Sequence, residues 1–153
     1  MNYGIVDTNV VRTLSGLDFL NAMIAGKYPA PPIAEVIGMR LVEVKKGRAV
    51  FESDPQFRYY NPLGSVHGGY TATLLDSCMA CAVQTMLEVG MGLTTIEFKL
   101  TFLRPVTEMT GPVRAIGDVI SVGRRIGAAE GKLIDAQGKV LAHGTTSCLI
   151  FSI

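Results

Sequence analysis

Apolar residues recur at helical spacing near the start of the chain. Val10, Leu14, Leu17, Leu20 and Ile24 share one face of residues 9–25, which predicts an amphipathic helix. Gly26 ends it, and the prolines of "YPAPPI" stiffen the exit, since proline lacks the N–H that a continuing helix needs. Residues 36–46 and 48–57 read as two strands joined at Gly47. Asn61-Pro62 and Gly64 mark a turn. Residues 68–88 are then apolar almost without interruption, a length of about five or six helical turns. A helix apolar nearly all round belongs in a core.

Beyond Gly90-Met91-Gly92 the period changes to two. In "TIEFKLTFLRP", Ile96, Phe98, Leu100 and Phe102 alternate with Thr95, Glu97, Lys99 and Thr101. This predicts an antiparallel strand with one apolar and one polar face, stopped by Pro105. Residues 113–122, 125–135 and 139–151 are three further strand segments, separated at Gly123 and at the hairpin turn "DAQGK". The order is helix, two strands, long helix, four strands. An α+β fold follows: a curved antiparallel β-sheet wrapped around a long central α-helix, with an N-terminal amphipathic helix. The polar alternation implies a sheet face turned to solvent or to another subunit. Without repeats or linkers, residues 1–153 read as one domain, with 1–34 as a helical extension and 35–153 as the core.

Composition narrows the function classes. Hydrophobic residues make up 48% and charged residues 18% of 153, the balance of a packed globular chain. A net charge of +1 gives no basic footprint for nucleic acid. Asp76 and Gln84 interrupt the best apolar run, so no membrane span is expected. The first residues lack a cationic start followed by an apolar run, so no secretory leader is expected either. Three cysteines in no scaffold pattern point to a reducing cytoplasm.

Asp76 is the only charged residue between Gly68 and Leu87. It lies too deep in the predicted helix to cap it, and no Lys or Arg stands three or four residues away. Burying an unpaired carboxylate costs several kcal/mol or more. A carboxylate kept in such a place is therefore either a structural hydrogen-bonding group at an interface or a candidate general base or nucleophile. His67-Gly68-Gly69 precedes the same helix. Helix N-termini present unpaired N–H groups, and glycine lets a carbonyl approach them, so this tripeptide can form an oxyanion hole or a plain turn. Nine residues separate His67 from Asp76, roughly 900° of helical rotation and thus about half a turn out of phase. One substrate reaches both groups if two such helices lie side by side in a dimer.

Asn61, "HGG" at 67–69, Asp76, and Thr95 leading a strand that ends in "FLRP" together resemble the hotdog-fold acyl-CoA thioesterases of the phenylacetate-degradation (PaaI-like) family. The resemblance covers about residues 35–151, and the N-terminal helix resembles an extension common in that group. It implies a hotdog fold and a homo-oligomer, dimer or dimer of dimers, with sites at the subunit interface. By position, Asp76 resembles the carboxylate that activates water or attacks the thioester, and Gly68 the backbone donor to the thioester oxygen, with Gly69 beside it. Asn61 and His67 resemble the groups that orient or polarise that carbonyl. Thr95, or Thr94 by a one-residue shift, falls where some members place a serine that holds the water.

The implied activity is hydrolysis of an acyl- or aryl-CoA thioester. A carboxylate-positioned water and an oxyanion donor suffice for this chemistry, so neither metal nor cofactor is required. Arg124 and Arg125 are candidates for the coenzyme A phosphates. Cys78 and Cys81 form a C-x-x-C without a second pair and read as helix packing. His143 stands alone in the last strand and reads as packing. Two alternatives share the fold: a hydratase or dehydratase, whose His and carboxylate converge on one carbon, and a non-catalytic acyl-CoA-binding module.

Overall fold

A computed structural model describes residues 2–153. The helices α1 (Thr8–Val11), α2 (Gly16–Ile24) and α3 (Pro32–Ile37) come first. The strands β1 (Met39–Lys45) and β2 (Arg48–Ser53) precede the helix α4 (Gly68–Gln84). Then come β3 (Met91–Phe102), β4 (Val113–Val122), β5 (Ile126–Ile134) and β6 (Val140–Ser152). The strands form one antiparallel sheet in the order β1-β2-β4-β5-β6-β3. The sheet curves around α4, as the hydrophobic pattern predicted.

Leu74, Leu75, Met79 and Val83 of α4 are each no more than 1% exposed. Burying side chains of this size contributes about 1.5–3 kcal/mol apiece. The seat for the helix is a row of small residues. Ala49, Gly117 and Gly131 are successive cross-strand partners on β2, β4 and β5. A Cβ on Gly117 would stand 2.2 Å from the carbonyl oxygen of Cys78. Helix backbone therefore rests directly on strand backbone, which only glycine permits.

Four sequence expectations need correction. Residues 9–25 form two helices, not one, because Ser15 caps α2 by accepting from Asp18 N–H. Gly16 N–H donates to Leu87 O at 3.0 Å, and a Cβ there would lie 1.8 Å from Gln84 O. The break thus lets the N-terminal segment lie against the end of α4.

Next, 36–46 is not all strand. Pro32 occupies the first turn of α3, a favourable site for a residue without an N–H. Gly38, at φ 66°, ends that helix in the left-handed region, and β1 starts after it. The long helix stops at Gln84 rather than Glu88 because the Thr85 hydroxyl donates to Ala82 O at 2.6 Å and accepts from Gly47 N–H at 2.8 Å.

The fourth correction concerns 95–101. The register of β3 against β6 shifts between Thr95 and Glu97, leaving Ile96 as an extra residue. Thr95 pairs with Cys148 and Phe98 with Thr146, two β6 residues whose own side chains are buried. Simple alternation put Thr95 with Glu97 and Lys99. The bulge instead turns it towards α4. β3 is also an edge strand, and its apolar residues remain open: Ile96 is 56%, Phe98 42% and Phe102 54% exposed.

Candidate active site

The bulge in β3 brings two of the sequence-predicted residues together. Thr95 Oγ1 donates to Asp76 Oδ1 at 2.9 Å. Asp76 enters no ion pair among the described residues. Its partner is thus a neutral hydroxyl, which orients the carboxylate without neutralising it. No buried side-chain oxygen or nitrogen lacks a partner among the described residues. Oδ2 accepts no side-chain hydrogen bond there, so it reaches open space. Thr94 lies on the opposite, exposed face of β3, so Thr95 is the residue that touches the carboxylate.

Cys81 and Cys148 adjoin this pair. The Cys81 thiol is pushed up to about 12, chiefly by burial and further by the charges of Asp76 and Cys148. Burial likewise raises Cys148, against the lowering effect of hydrogen bonds with Thr95 and Thr146. Burial also pushes the Cys78 thiol up. These groups stay protonated near neutral pH, so none supplies a ready thiolate nucleophile. Tyr70 rises to about 12 mainly by burial, and its hydroxyl donates to Ser53 Oγ at 2.8 Å. That bond ties α4 to β2 inside the core.

The N-terminus of α4 holds a second set. His67 is the N-cap and its Nδ1 accepts the Gly69 N–H at 2.9 Å. In the neutral ring the proton then sits on Nε2, which is left free to donate. Gly68 N–H has no acceptor among the described residues, as befits the first turn of a helix. Gly68, Thr71, Phe102 and Arg104 line a cleft of about 320 Å³. The Phe102 ring lies so close that a Cβ on Gly68 would meet it at 3.3 Å. Phe102 is a wall of this cleft that alternation alone did not single out.

Asn61 is used by its own turn. Its Oδ1 accepts from Leu63 N–H at 2.9 Å and Ser65 N–H at 3.3 Å, and Nδ2 donates to Ser65 Oγ at 3.1 Å. This shapes the loop that leads to His67. Arg124 and Arg125 are exposed between β4 and β5 and line neither the cleft nor the larger cavity at Asp76. His143 is exposed on the outer face, level with Lys132 and Thr101.

Asp76 opens into that larger cavity, while Gly68 lines the cleft. One chain thus offers an oriented carboxylate and a free backbone donor in separate spaces. The first can position or deprotonate water, and the second can hold a developing oxyanion.

A family model described as the thioesterase superfamily matches residues 63–142. The chain is 26% identical over 109 residues to a 1,4-dihydroxy-2-naphthoyl-CoA hydrolase of Listeria monocytogenes, covering 71% of this chain and 87% of that protein. It is 25% identical over 127 residues to acyl-coenzyme A thioesterase 13 of Homo sapiens, covering 82% and 89%. Among solved structures, a phenylacetic acid degradation-related protein from Ralstonia eutropha JMP134 superposes with a TM-score of 0.78 at 28% identity, over 86% of this chain and 98% of that one.

Proposed function

The chain belongs to the thioesterase superfamily, and from that premise we propose that it hydrolyses acyl- or aryl-CoA thioesters with Asp76 and Gly68 as its catalytic groups. Its fold is the PaaI-like hotdog thioesterase fold, and it is a thioester hydrolase. The observation that carries the catalytic reading is the Thr95–Asp76 hydrogen bond, which leaves Oδ2 free.

The thioester oxygen accepts from Gly68 N–H, and His67 Nε2–H adds polarisation from beside it. Water held at Asp76 attacks the carbonyl carbon and passes a proton to the carboxylate. The C–S bond then breaks, the proton goes to the departing thiolate, and the products are a carboxylic acid and the free thiol. Direct attack by the carboxylate, through an anhydride that water opens, uses the same parts. Asn61 positions His67 through the turn, and Gly69 holds the His67 ring through its N–H. Thr95 orients the carboxylate. The coenzyme A phosphates are left to exposed guanidinium groups, with Arg124 and Arg125 as candidates.

Incubation with an acyl-CoA panel, following free thiol, tests the activity. Thiol release supports hydrolysis. Binding without release fits an acyl-CoA-binding module, and an altered acyl chain on an intact thioester fits a hydratase. Thr95→Val is expected to lower kcat by about tenfold or more with little change in KM, the scale of a lost hydrogen bond to a charged group. Unchanged kcat removes Thr95 from the mechanism.

The working unit is read as a homo-oligomer with two-fold symmetry, a dimer at least. The open apolar residues of edge strand β3 support this, as does the separation of Gly68 from Asp76. Each site then takes Gly68 from one chain and Asp76 from the other. Gly68→Pro removes the donor N–H while keeping a helix start, since His67 already has ψ 137°. Subunits of Gly68→Pro and Asp76→Asn, mixed equally and allowed to exchange, are expected to regain about a quarter of wild-type activity by random two-fold pairing. No recovery after verified exchange, or a fully active monomer in light scattering, counts against sharing.

No helix among the described residues is long and apolar enough to cross a membrane. Cys78, Cys81 and Cys148 are free, which supports a reducing, cytoplasmic setting.

A further inference from the structure

The cavity at Asp76 has a volume of about 760 Å³, within the range of small-molecule pockets. One wall is the half-buried side of α4, with Asp76, Ala80, Cys81 and Gln84. The opposite wall comes from the N-terminal segment, chiefly Val11, Phe19, Leu20 and Met23. Met39, Leu41 and Phe51 extend the apolar lining onto the sheet. Only Asp76 and Arg40 along it carry charge, and Arg40 is paired with Glu52 at 3.4 Å.

The wall is pinned in place. Gly4 N–H donates to Ala30 O and Ala30 N–H to Asn2 O, each at 2.9 Å, closing the ends of the segment on each other. Its middle is held where Gly16 N–H meets Leu87 O at 3.0 Å. Phe19 packs on Tyr28 with ring centroids 5.9 Å apart. Apolar lining that faces an unfilled space forgoes dispersion contacts across the gap and leaves apolar surface against water. A pinned, largely apolar space with one carboxylate in its wall calls for an apolar occupant with a reactive polar end.

We propose that the N-terminal segment is the wall of an acyl pocket, and that the preferred substrate carries a long apolar acyl group. This rests on the hydrolase reading above. The thioester lies at Asp76 and the tail runs past Ala80 towards Phe19, Leu20 and Met23. Ala80 follows Asp76 by one helical turn, so it stands on the same face, directly along the tail. Acetyl leaves the space unfilled and forgoes that binding energy in the transition state.

The test is kcat/KM for acetyl-, octanoyl-, dodecanoyl- and hexadecanoyl-CoA. Wild type is expected to favour dodecanoyl over acetyl by at least about a hundredfold, since each methylene in an apolar pocket discriminates by about tenfold or more. Ala80→Leu narrows the pocket beside the carboxylate and is expected to lower that ratio at least about tenfold. Met23→Ala lengthens the pocket and moves the preference towards hexadecanoyl. Two variants acting in opposite directions separate pocket shape from damage to the fold. Hydrolysis with a ratio that neither variant moves, or a preference for acetyl, overturns the acyl pocket and leaves the hydrolase standing. If none of these thioesters releases thiol, the hydrolase premise falls instead. Calorimetry with dodecanoate then decides: binding weakened at least tenfold by Ala80→Leu supports the pocket, and no binding to wild type overturns it.

Discussion

Asp76→Asn is expected to lower turnover about 10²–10⁴-fold, the usual loss on removing a general base. The side chain keeps its shape, and the amide oxygen still accepts the Thr95 hydroxyl that now lies 2.9 Å from Asp76 Oδ1. What disappears is the site that takes the proton from water. The proposed oxyanion donor at Gly68 is untouched, so substrate affinity should change little. Cys81 offers no rescue, because burial holds its thiol up at about 12. The measurement is kcat per folded oligomer beside a melting curve. If Asp76 serves only as a hydrogen-bonding group between elements, the same change lowers the melting point and leaves kcat near wild type. That outcome would end the catalytic assignment.

Gly117→Ala is expected to be the most damaging single methyl in the sheet. The new Cβ would stand 2.2 Å from Cys78 O and 2.8 Å from Met79 N. Both atoms belong to the backbone of α4, so no rotamer change relieves the clash and the helix must lift off its seat. Overpacking of this kind costs about 3 kcal/mol, roughly 6–12 °C in Tm for a chain of this length. Gly131→Ala should cost less, because its Cβ meets the flexible Met79 side chain, with Cγ at 2.7 Å. Gly123→Ala should be nearly silent, with only Ile126 O at 3.5 Å. Thermal denaturation of the three variants gives the ranking. Equal losses at Gly117 and Gly123 would show that the glycine row does not seat the helix.

Much of this was readable along the chain. The uninterrupted apolar stretch after Gly69 marked the buried helix, and Asp76 stood out because nothing local explained a charge there. His67-Gly68-Gly69 announced a helix N-terminus with an accessible N–H. The last three strand segments fell within a residue of their observed bounds, since period-two alternation and turn residues are local signals, whereas β3 starts at Met91, inside the expected break at 90–92. The errors were also local in origin. Residues 9–25 keep helical spacing through Leu14 and Leu17, yet a new helix starts at Gly16, whose N–H donates to Leu87 O, a residue remote in sequence, instead of continuing the first helix. The prolines at 31 and 32 read as a stiff exit from the helix ended at Gly26, yet Pro32 begins a further helix.

The sequence by itself singled out the candidate residues: a lone carboxylate in an apolar helix, a glycine at that helix's start, and a hydroxyl ahead of a strand. These follow from residue type, spacing and the cost of burying charge. Tertiary structure alone decided which of them meet. Thr95 faces Asp76 because a bulge at Ile96 reverses the side on which it falls. Alternation cannot reveal such a bulge, since strand register depends on pairing with β6. The partner of Asp76 across the cavity was equally hidden, because the wall formed by Phe19, Leu20 and Met23 arises from packing between segments more than 50 residues apart. Periodicity reports which face of an element is apolar. It does not report what that face is packed against, or whether a space is left between them.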